Sequence, residues 1–341
     1  MMNRYDPLGP AFLRMGRRDP GEAACALWWS GSGIRTRVDC TRFEVEATAG
    51  DDEFIPWLAV TLDGAPVARF PLRPGTHRYS VLGVLEKGTA HELAILRDTQ
   101  PTDGDSGPLV LNAVYTDGEP KAPAPRSRLV EFIGDSLTVG EGTVGDEGGQ
   151  EWRMVYISNQ FAFPTLAAEA LKAEKRVIAL GGWGAYLAFD GDPNRAIGKI
   201  YDRLCPLVPG GDIPDDFAAQ RPADAVVINL GTNDGSAMNL LEGEAREAAL
   251  SAFEDSAVAL LAQVRAHNPD SHIIWAYGLC GTGMAAHACR AVECRRTEGD
   301  ERVSYLALDD CDGSVGSRSH PSRASHIRAA RQIAEAIGAL H

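Results

Sequence analysis

Apolar and polar positions alternate with a period of two through the first third of the chain. Ile34, Thr36, Val38 and Cys40 alternate with Arg35, Arg37 and Asp39, and Phe43, Val45 and Ala47 alternate with Arg42, Glu44 and Glu46. A strand turns successive side chains to opposite faces, so this pattern predicts half-buried antiparallel strands. Leu58 to Leu62 and Val67 to Phe70 flank Asp63-Gly64, a dipeptide suited to a tight hairpin turn. Further strands are expected at Tyr79 to Val84, Leu93 to Leu96 and Leu109 to Val114. Together they predict a β-sandwich between about Trp28 and Tyr115. The stretch from Asp117 to Pro125 carries three prolines and reads as a linker.

Past this point the pattern changes to short apolar runs separated by helical periodicity. Strands are predicted at Leu129 to Ile133, Val177 to Leu180, Ala225 to Leu230, Ile273 to Tyr277 and Val303 to Leu308. Leu250, Phe253, Ala257, Leu260, Leu261 and Val264 fall on one face of a helix that Pro269 closes. Five buried strands joined by helical crossovers predict a doubly wound parallel sheet. The expected division is an accessory sandwich with its linker over residues 1–124 and an α/β domain over 125–341.

Composition narrows the possible partners. The net charge is −14 and both halves are acidic, so neither offers the basic face that a phosphate backbone requires. Nucleic acid is not an expected partner. Neither is a membrane, since no stretch is long and apolar enough to span one. The N-terminal residues carry no apolar segment of the signal-peptide kind, and the seven cysteines are odd in number and scattered. The expectation is a cytoplasmic, reducing location. Cys280, Cys289, Cys294 and Cys311, with His287, match no zinc spacing, so neither a metal nor another cofactor is expected.

The candidate chemistry sits at strand ends, where open α/β sheets hold their ligands. The first run of the second half stops in Gly134-Asp135-Ser136, the third in Leu230-Gly231-Thr232-Asn233-Asp234, and Ser319-His320-Pro321 follows the last. A serine hydroxyl needs a neighbouring base before it attacks a carbonyl, and an imidazole titrates in the right range. Ser136 is therefore the candidate nucleophile and His320 the candidate base. Candidate oxyanion donors are the Ser136 N–H, the Asn233 amide, and an N–H from Gly181-Gly182-Trp183-Gly184. Gly184 is the choice there and Gly182 the reserve. Asp135 and Asp234 read as structural, satisfying buried N–H groups in tight loops. Gly104-Asp105-Ser106-Gly107 imitates a serine-protease motif, but the chain order of residues is wrong and Ser106 falls in a polar loop. Gly134 to Thr138 also lacks the final glycine of the G-x-S-x-G elbow.

Ser, Gly, Asn and His placed in this way resemble the SGNH/GDSL hydrolase superfamily. The opening Trp29-Ser30-Gly31-Ser32-Gly33-Ile34, Gly182-Trp183-Gly184 followed by Phe189-Asp190-Gly191, and Asp312-Gly313 ahead of His320-Pro321 and His326 narrow the resemblance to carbohydrate-esterase family two. The resemblance implies a jelly-roll-like sandwich followed by a flavodoxin-like three-layer α/β/α domain. It also implies metal-free removal of acetyl groups from sugars and oligosaccharides such as xylan. Carried over by motif, Ser136 is nucleophile, His320 base, and Gly184 and Asn233 oxyanion donors.

One position departs from the superfamily. Most members place an aspartate three residues before the histidine, and here that residue is Ser317. The orienting acceptor is expected to be a main-chain carbonyl near Ser317, or Asp310 or Asp312 reaching back. Trp183 is a candidate wall of the acyl pocket, whereas Trp275 and Tyr277 lie within a predicted strand and suit the core. The leading expectation is an O-deacetylase acting on acetylated sugars. The alternatives are an esterase, thioesterase or acyltransferase on another small acyl group, and a glycan-binding protein with a vestigial site. Oligomeric state is not legible in the sequence.

Overall fold

A computed structural model describes residues 1–50, 53–82 and 86–340. Contacts divide it into two units. The first comprises residues 1–126, 153–155 and 203–216, and the second 127–152, 156–202 and 217–341. The first unit therefore takes in two segments that the sequence places beyond the linker. Within it, Trp29 Nε1 donates to the Leu204 carbonyl at 2.6 Å, and Arg17 pairs with Asp215 at 2.9 Å. Part of the expected linker is also bonded, since Lys121 exchanges main-chain hydrogen bonds with Arg37.

The first unit is built from two antiparallel sheets. Its strands are β1 (Asn3–Tyr5), β2 (Leu13–Met15), β3 (Cys25–Leu27), β4 (Gly33–Val38), β5 (Phe43–Ala49), β6 (Trp57–Leu62), β7 (Ala65–Pro71), β8 (Gly75–Leu82), β9 (His91–Arg97) and β10 (Leu109–Thr116). One sheet runs β1-β10-β5-β8 with β3 also on β10, and the other runs β2-β4-β9-β6-β7. Leu27, Val45, Leu111 and Val114 of the first share one core with Ile34, Leu58, Val60 and Ile95 of the second. The hairpin at Asp63-Gly64 joins β6 to β7, with φ of 48° and 81°, the two positive angles of a type I′ turn. The expected strand end at Gly83 and Val84 lies outside the described residues.

The second unit is a parallel sheet of β11 (Leu129–Gly134), β12 (Glu174–Ala179), β13 (Ala225–Asn229), β14 (His272–Tyr277) and β15 (Val303–Ala307), in the order β12-β11-β13-β14-β15. Its main helices are α1 (Ser136–Val139), α2 (Phe163–Ala170), α3 (Thr232–Met238), α4 (Gly243–His267), α5 (Ala285–Thr297) and α6 (Arg323–Gly338). α2 packs with α6 and α4 with α5, giving the three-layer arrangement. Phe253, Ala257, Leu260, Leu261 and Val264 are the buried face of α4, joined by Ala249 in place of the half-buried Leu250. Trp275 and Tyr277 are buried in β14, as core residues. Among the described residues, no helix is long and apolar enough to cross a membrane.

This strand order dictates where a ligand goes. The order in which strands are laid down reverses between β11 and β13, opening a crevice beyond their carboxyl ends. Ser136 follows β11 and Asn233 follows β13.

Candidate active site

The Ser136 loop is a strand running straight into one turn of helix. Asp135 caps α1, its carboxylate accepting the Leu137 N–H at 3.0 Å. Ser136 is then the first residue of the turn, where an N–H has no partner within the helix. That amide donates to no protein acceptor among the described residues. Ser136 is 6% exposed, so it is buried rather than set on an open surface.

His320 meets this hydroxyl from the other side. Its Nε2 lies 2.9 Å from Ser136 Oγ, and its Nδ1 lies 3.1 Å from the main-chain oxygen of Arg318. A carbonyl only accepts, so Nδ1 carries the proton and Nε2 is left as acceptor for the serine O–H. The turn that presents this carbonyl is unusual. Arg318 and Ser319 have φ of 54° and 56°, in the left-handed region. Two non-glycine residues there cost on the order of 1–3 kcal/mol each. Gly142 lets the Ser136 loop lie against the imidazole, since a Cβ at that position would stand 2.6 Å from His320 Cβ.

Of the sequence candidates for orienting the imidazole, a main-chain carbonyl near Ser317 is the one met, by Arg318, and the side chains of Ser317, Asp310 and Asp312 do not hold the ring. Ser317 Oγ is buried without a hydrogen-bond partner among the described residues. Asp310 accepts the Gly281 and Asp312 amides at 2.7 and 3.0 Å, which keeps its carboxyl ionised at lower pH than usual. Asp312 is exposed and hydrogen-bonds through its amide to Asp310. Neither aspartate reaches His320. The only carboxylate within 4 Å of the imidazole among the described residues is Glu141, 3.7 Å from Nε2. Glu141 is buried and paired to Arg318 at 2.5 Å. Sequence reasoning passed over it, although an acid between Gly140 and Gly142 in an otherwise apolar loop is a signal.

The oxyanion side requires a correction. The Gly184 N–H donates to the Arg195 carbonyl at 3.2 Å, so it is committed elsewhere. Glycine is needed at 184 for another reason: a Cβ would stand 2.0 Å from the Leu187 oxygen and 2.6 Å from the Asp234 carboxylate. That carboxylate accepts the N–H groups of Ala185, Tyr186 and Leu187 at 3.0, 2.7 and 2.8 Å, pinning the loop. The Gly182 amide, by contrast, has no acceptor in the protein among the described residues. Asn233 Nδ2 donates to the Trp183 carbonyl at 2.7 Å and lies 3.3 Å from Asp135 Oδ2. Trp183 thus contributes its main chain to the site, with its ring half-buried.

Burial acts strongly on the two aspartates. It pushes the Asp135 carboxyl up to about 7, and the nearby charges of Asp234 and Glu141 push the same way. Asp234 is raised for the same reason, against its three N–H donors. Ser106 falls in the first unit, beside an Asp105 that is buried against Arg97 at 2.9 Å. Among the described residues, no three His, Cys, Asp or Glu side chains converge as metal ligands would.

Known proteins share this architecture. Residues 132–337 match the GDSL-like lipase/acylhydrolase family, and residues 14–125 match the carbohydrate esterase 2 N-terminal domain. The chain belongs to the GDSL-like lipase/acylhydrolase family. The chain is 30% identical over 347 residues to the cellulase/esterase CelE of Acetivibrio thermocellus, covering 97% of this chain and 40% of that protein. It therefore spans well under half of that relative's length. An acetylxylan esterase/glucomannan deacetylase of Cellvibrio japonicus is 29% identical over 282 residues, 80% of this chain and 74% of the other. Among solved structures, an acetyl xylan esterase from the rumen bacterium Butyrivibrio proteoclasticus superposes with a TM-score of 0.93 at 26% identity, covering 99% and 98% of the two chains. A family two carbohydrate esterase from Clostridium thermocellum in complex with cellohexaose gives 0.85 at 26% identity, covering 96% and 98%. Both halves of the chain thus match the two-domain arrangement of the family two carbohydrate esterases.

Proposed function

We propose that this esterase removes O-acetyl groups from acetylated sugars or oligosaccharides, with Ser136 as nucleophile and His320 as sole general base. The observation that carries the reading is the pair of contacts on His320: Ser136 Oγ at 2.9 Å on Nε2 and a carbonyl fixing the proton on Nδ1. Attack of Oγ on the acetyl carbon passes the serine proton to Nε2, which then gives it to the sugar oxygen as the bond from that oxygen to the acyl carbon breaks. Water repeats the exchange on the acetyl-enzyme.

The developing oxyanion is met by the free amides of Ser136 and Gly182, and by Asn233 Nδ2 once it turns from Asp135. A sugar leaving group is supported by Phe189, half-exposed beside Gly182, whose ring lies 3.2 Å from where a Gly182 Cβ would be. The relatives named for acetylxylan and glucomannan point to the same substrate class. The test is turnover of acetyl, butyryl and octanoyl nitrophenyl esters beside acetylated xylo-oligosaccharides. A steep acetyl preference is expected, because each methylene is worth about 1–3 kcal/mol in a closed pocket. Equal kcat/KM for acetyl and octanoyl esters refutes the deacetylase reading. Ser136→Ala retaining more than a few per cent of activity refutes the nucleophile.

A further inference from the structure

We infer that Glu141 and Arg318 form a tether that positions His320, doing in two residues what a single aspartate does in most SGNH enzymes. The inference rests on the reading of Ser136 and His320 just given. Glu141 belongs to the loop that carries Ser136, and its main-chain N–H donates to the Ser136 carbonyl at 3.0 Å. Its carboxylate divides its two oxygens. Oε1 takes the Arg318 guanidinium at 2.5 Å, and Oε2 lies 3.7 Å from His320 Nε2. The side chain of Glu141 is only 3% exposed, so the pair is shielded from water on the carboxylate side.

Arg318 has two attachments. Its side chain is bound to Glu141, while its carbonyl receives the His320 Nδ1–H. Its left-handed backbone, with φ of 54° and ψ of 34°, turns that carbonyl back onto the imidazole two residues later. A non-glycine residue does not hold this conformation without outside support. The ion pair supplies that support, and the Arg318 N–H bond to the Gly149 carbonyl at 2.7 Å supports it from the main chain. The nucleophile's own loop thereby fixes the angle of the base.

The second carboxylate oxygen has an electrostatic part. As the Ser136 Oγ–H bond breaks and Oγ–C forms, the carbonyl π pair moves onto the oxyanion and the proton forms Nε2–H. The ring is then an imidazolium, with a carboxylate 3.7 Å from the protonated nitrogen. A main-chain carbonyl at Nδ1 orients the ring but brings no full charge, and Glu141 provides the negative charge from the opposite side. Glu141 and Arg318 are positioning residues and touch no reacting atom.

The experiment compares Glu141→Gln, Arg318→Met, the double variant and Glu141→Asp on nitrophenyl acetate, with Ser136→Ala and His320→Ala alongside. Folding is checked by melting temperature. Each single variant should lose about 10–100-fold in kcat with KM nearly unchanged, a share of the 10²–10⁴ that a well-placed base contributes. The double variant should fall no further than the worse single, because the pair acts as one unit. Glu141→Asp should recover part of the loss. The rate at which a fluorophosphonate labels Ser136 should fall in parallel, independently of turnover. Folded Glu141→Gln and Arg318→Met with kcat within threefold of wild type overturn the inference, and so do losses confined to KM or multiplying in the double variant. If Ser136→Ala or His320→Ala stays active instead, the reading of the site itself has failed.

Discussion

Asp135 is one residue from Ser136 and fully buried, and replacing it by Asn should change how stability responds to pH. Burial raises its carboxyl from the ordinary 3.8 to about 7, with Asp234 and Glu141 adding to the rise and the Leu137 N–H opposing it. Between those two pH values the native state binds a proton that the unfolded chain has released. The stability associated with that proton is fully present below 3.8 and is lost as pH rises through about 7. A gap of about 3 pH units corresponds to about 4 kcal/mol at 1.36 kcal/mol per unit.

Asn has nothing to ionise, so Asp135→Asn should gain on wild type by up to about 4 kcal/mol between pH 4 and pH 8. The substitution also carries a constant cost. Asn can still accept the Leu137 N–H, but its own amide then faces Asn233 Nδ2 where Asp135 Oδ2 now lies 3.3 Å away. Losing that contact costs about 1 kcal/mol at every pH and leaves the slope untouched. Urea denaturation of both proteins at pH 4, 6 and 8 measures the difference, with titrating groups remote from Asp135 cancelling. A flat difference across this range would show that Asp135 stays ionised in the native state, and the reasoning from burial would be wrong.

Ser317→Ala, Asp310→Asn and Asp312→Asn should each keep kcat within about tenfold of wild type on nitrophenyl acetate, whereas loss of an orienting aspartate costs about 10⁴. Inactivity of a folded Asp310 or Asp312 variant would return the orienting role to a carboxylate. Asp234→Ala leaves the Ala185, Tyr186 and Leu187 amides without their acceptor. At about 1–3 kcal/mol per unsatisfied donor, a loss of at least about 3 kcal/mol in urea denaturation is expected, and a change below 1 would refute the account of this loop. Ser319→Gly removes the strain of a φ of 56°. Thermal melting should show a gain of up to about 1 kcal/mol, while kcat falls as the turn loosens; a gain in both would mean the strain has no part in holding His320.

The strands legible in the sequence were those long enough to show a period. β4 to β10 run six to eight residues with alternating or apolar character, β11, β13 and β14 are largely apolar runs, and β12 and β15 carry shorter apolar stretches. β1, β2 and β3 are three residues each, less than two repeats of a strand's period, and no pattern announces them. The membership of residues 203–216 in the first unit was also hidden. It is carried by bonds such as Trp29 Nε1 to the Leu204 carbonyl, and any residue has a carbonyl to offer.

The same reasoning separates the legible part of the site from the rest. In the proposed mechanism Ser136, Asn233 and His320 act through side chains, so residue type at a strand end was enough to single them out. The group on His320 Nδ1 is a main-chain oxygen, selected by the left-handed φ of Arg318 and Ser319 rather than by their identity. Asp310 and Asp312 looked plausible only because a carboxylate is the acceptor that sequence can display. Gly184 misled for the converse reason. A missing Cβ makes room for a ligand or for a neighbouring side chain, and a sequence does not say which. Here the neighbour is the Asp234 carboxylate, with oxygens 2.6 and 2.7 Å from where the Cβ would stand. The glycine that makes room for the carboxylate pinning the loop and the glycine whose amide is left free are then two different residues, 184 and 182.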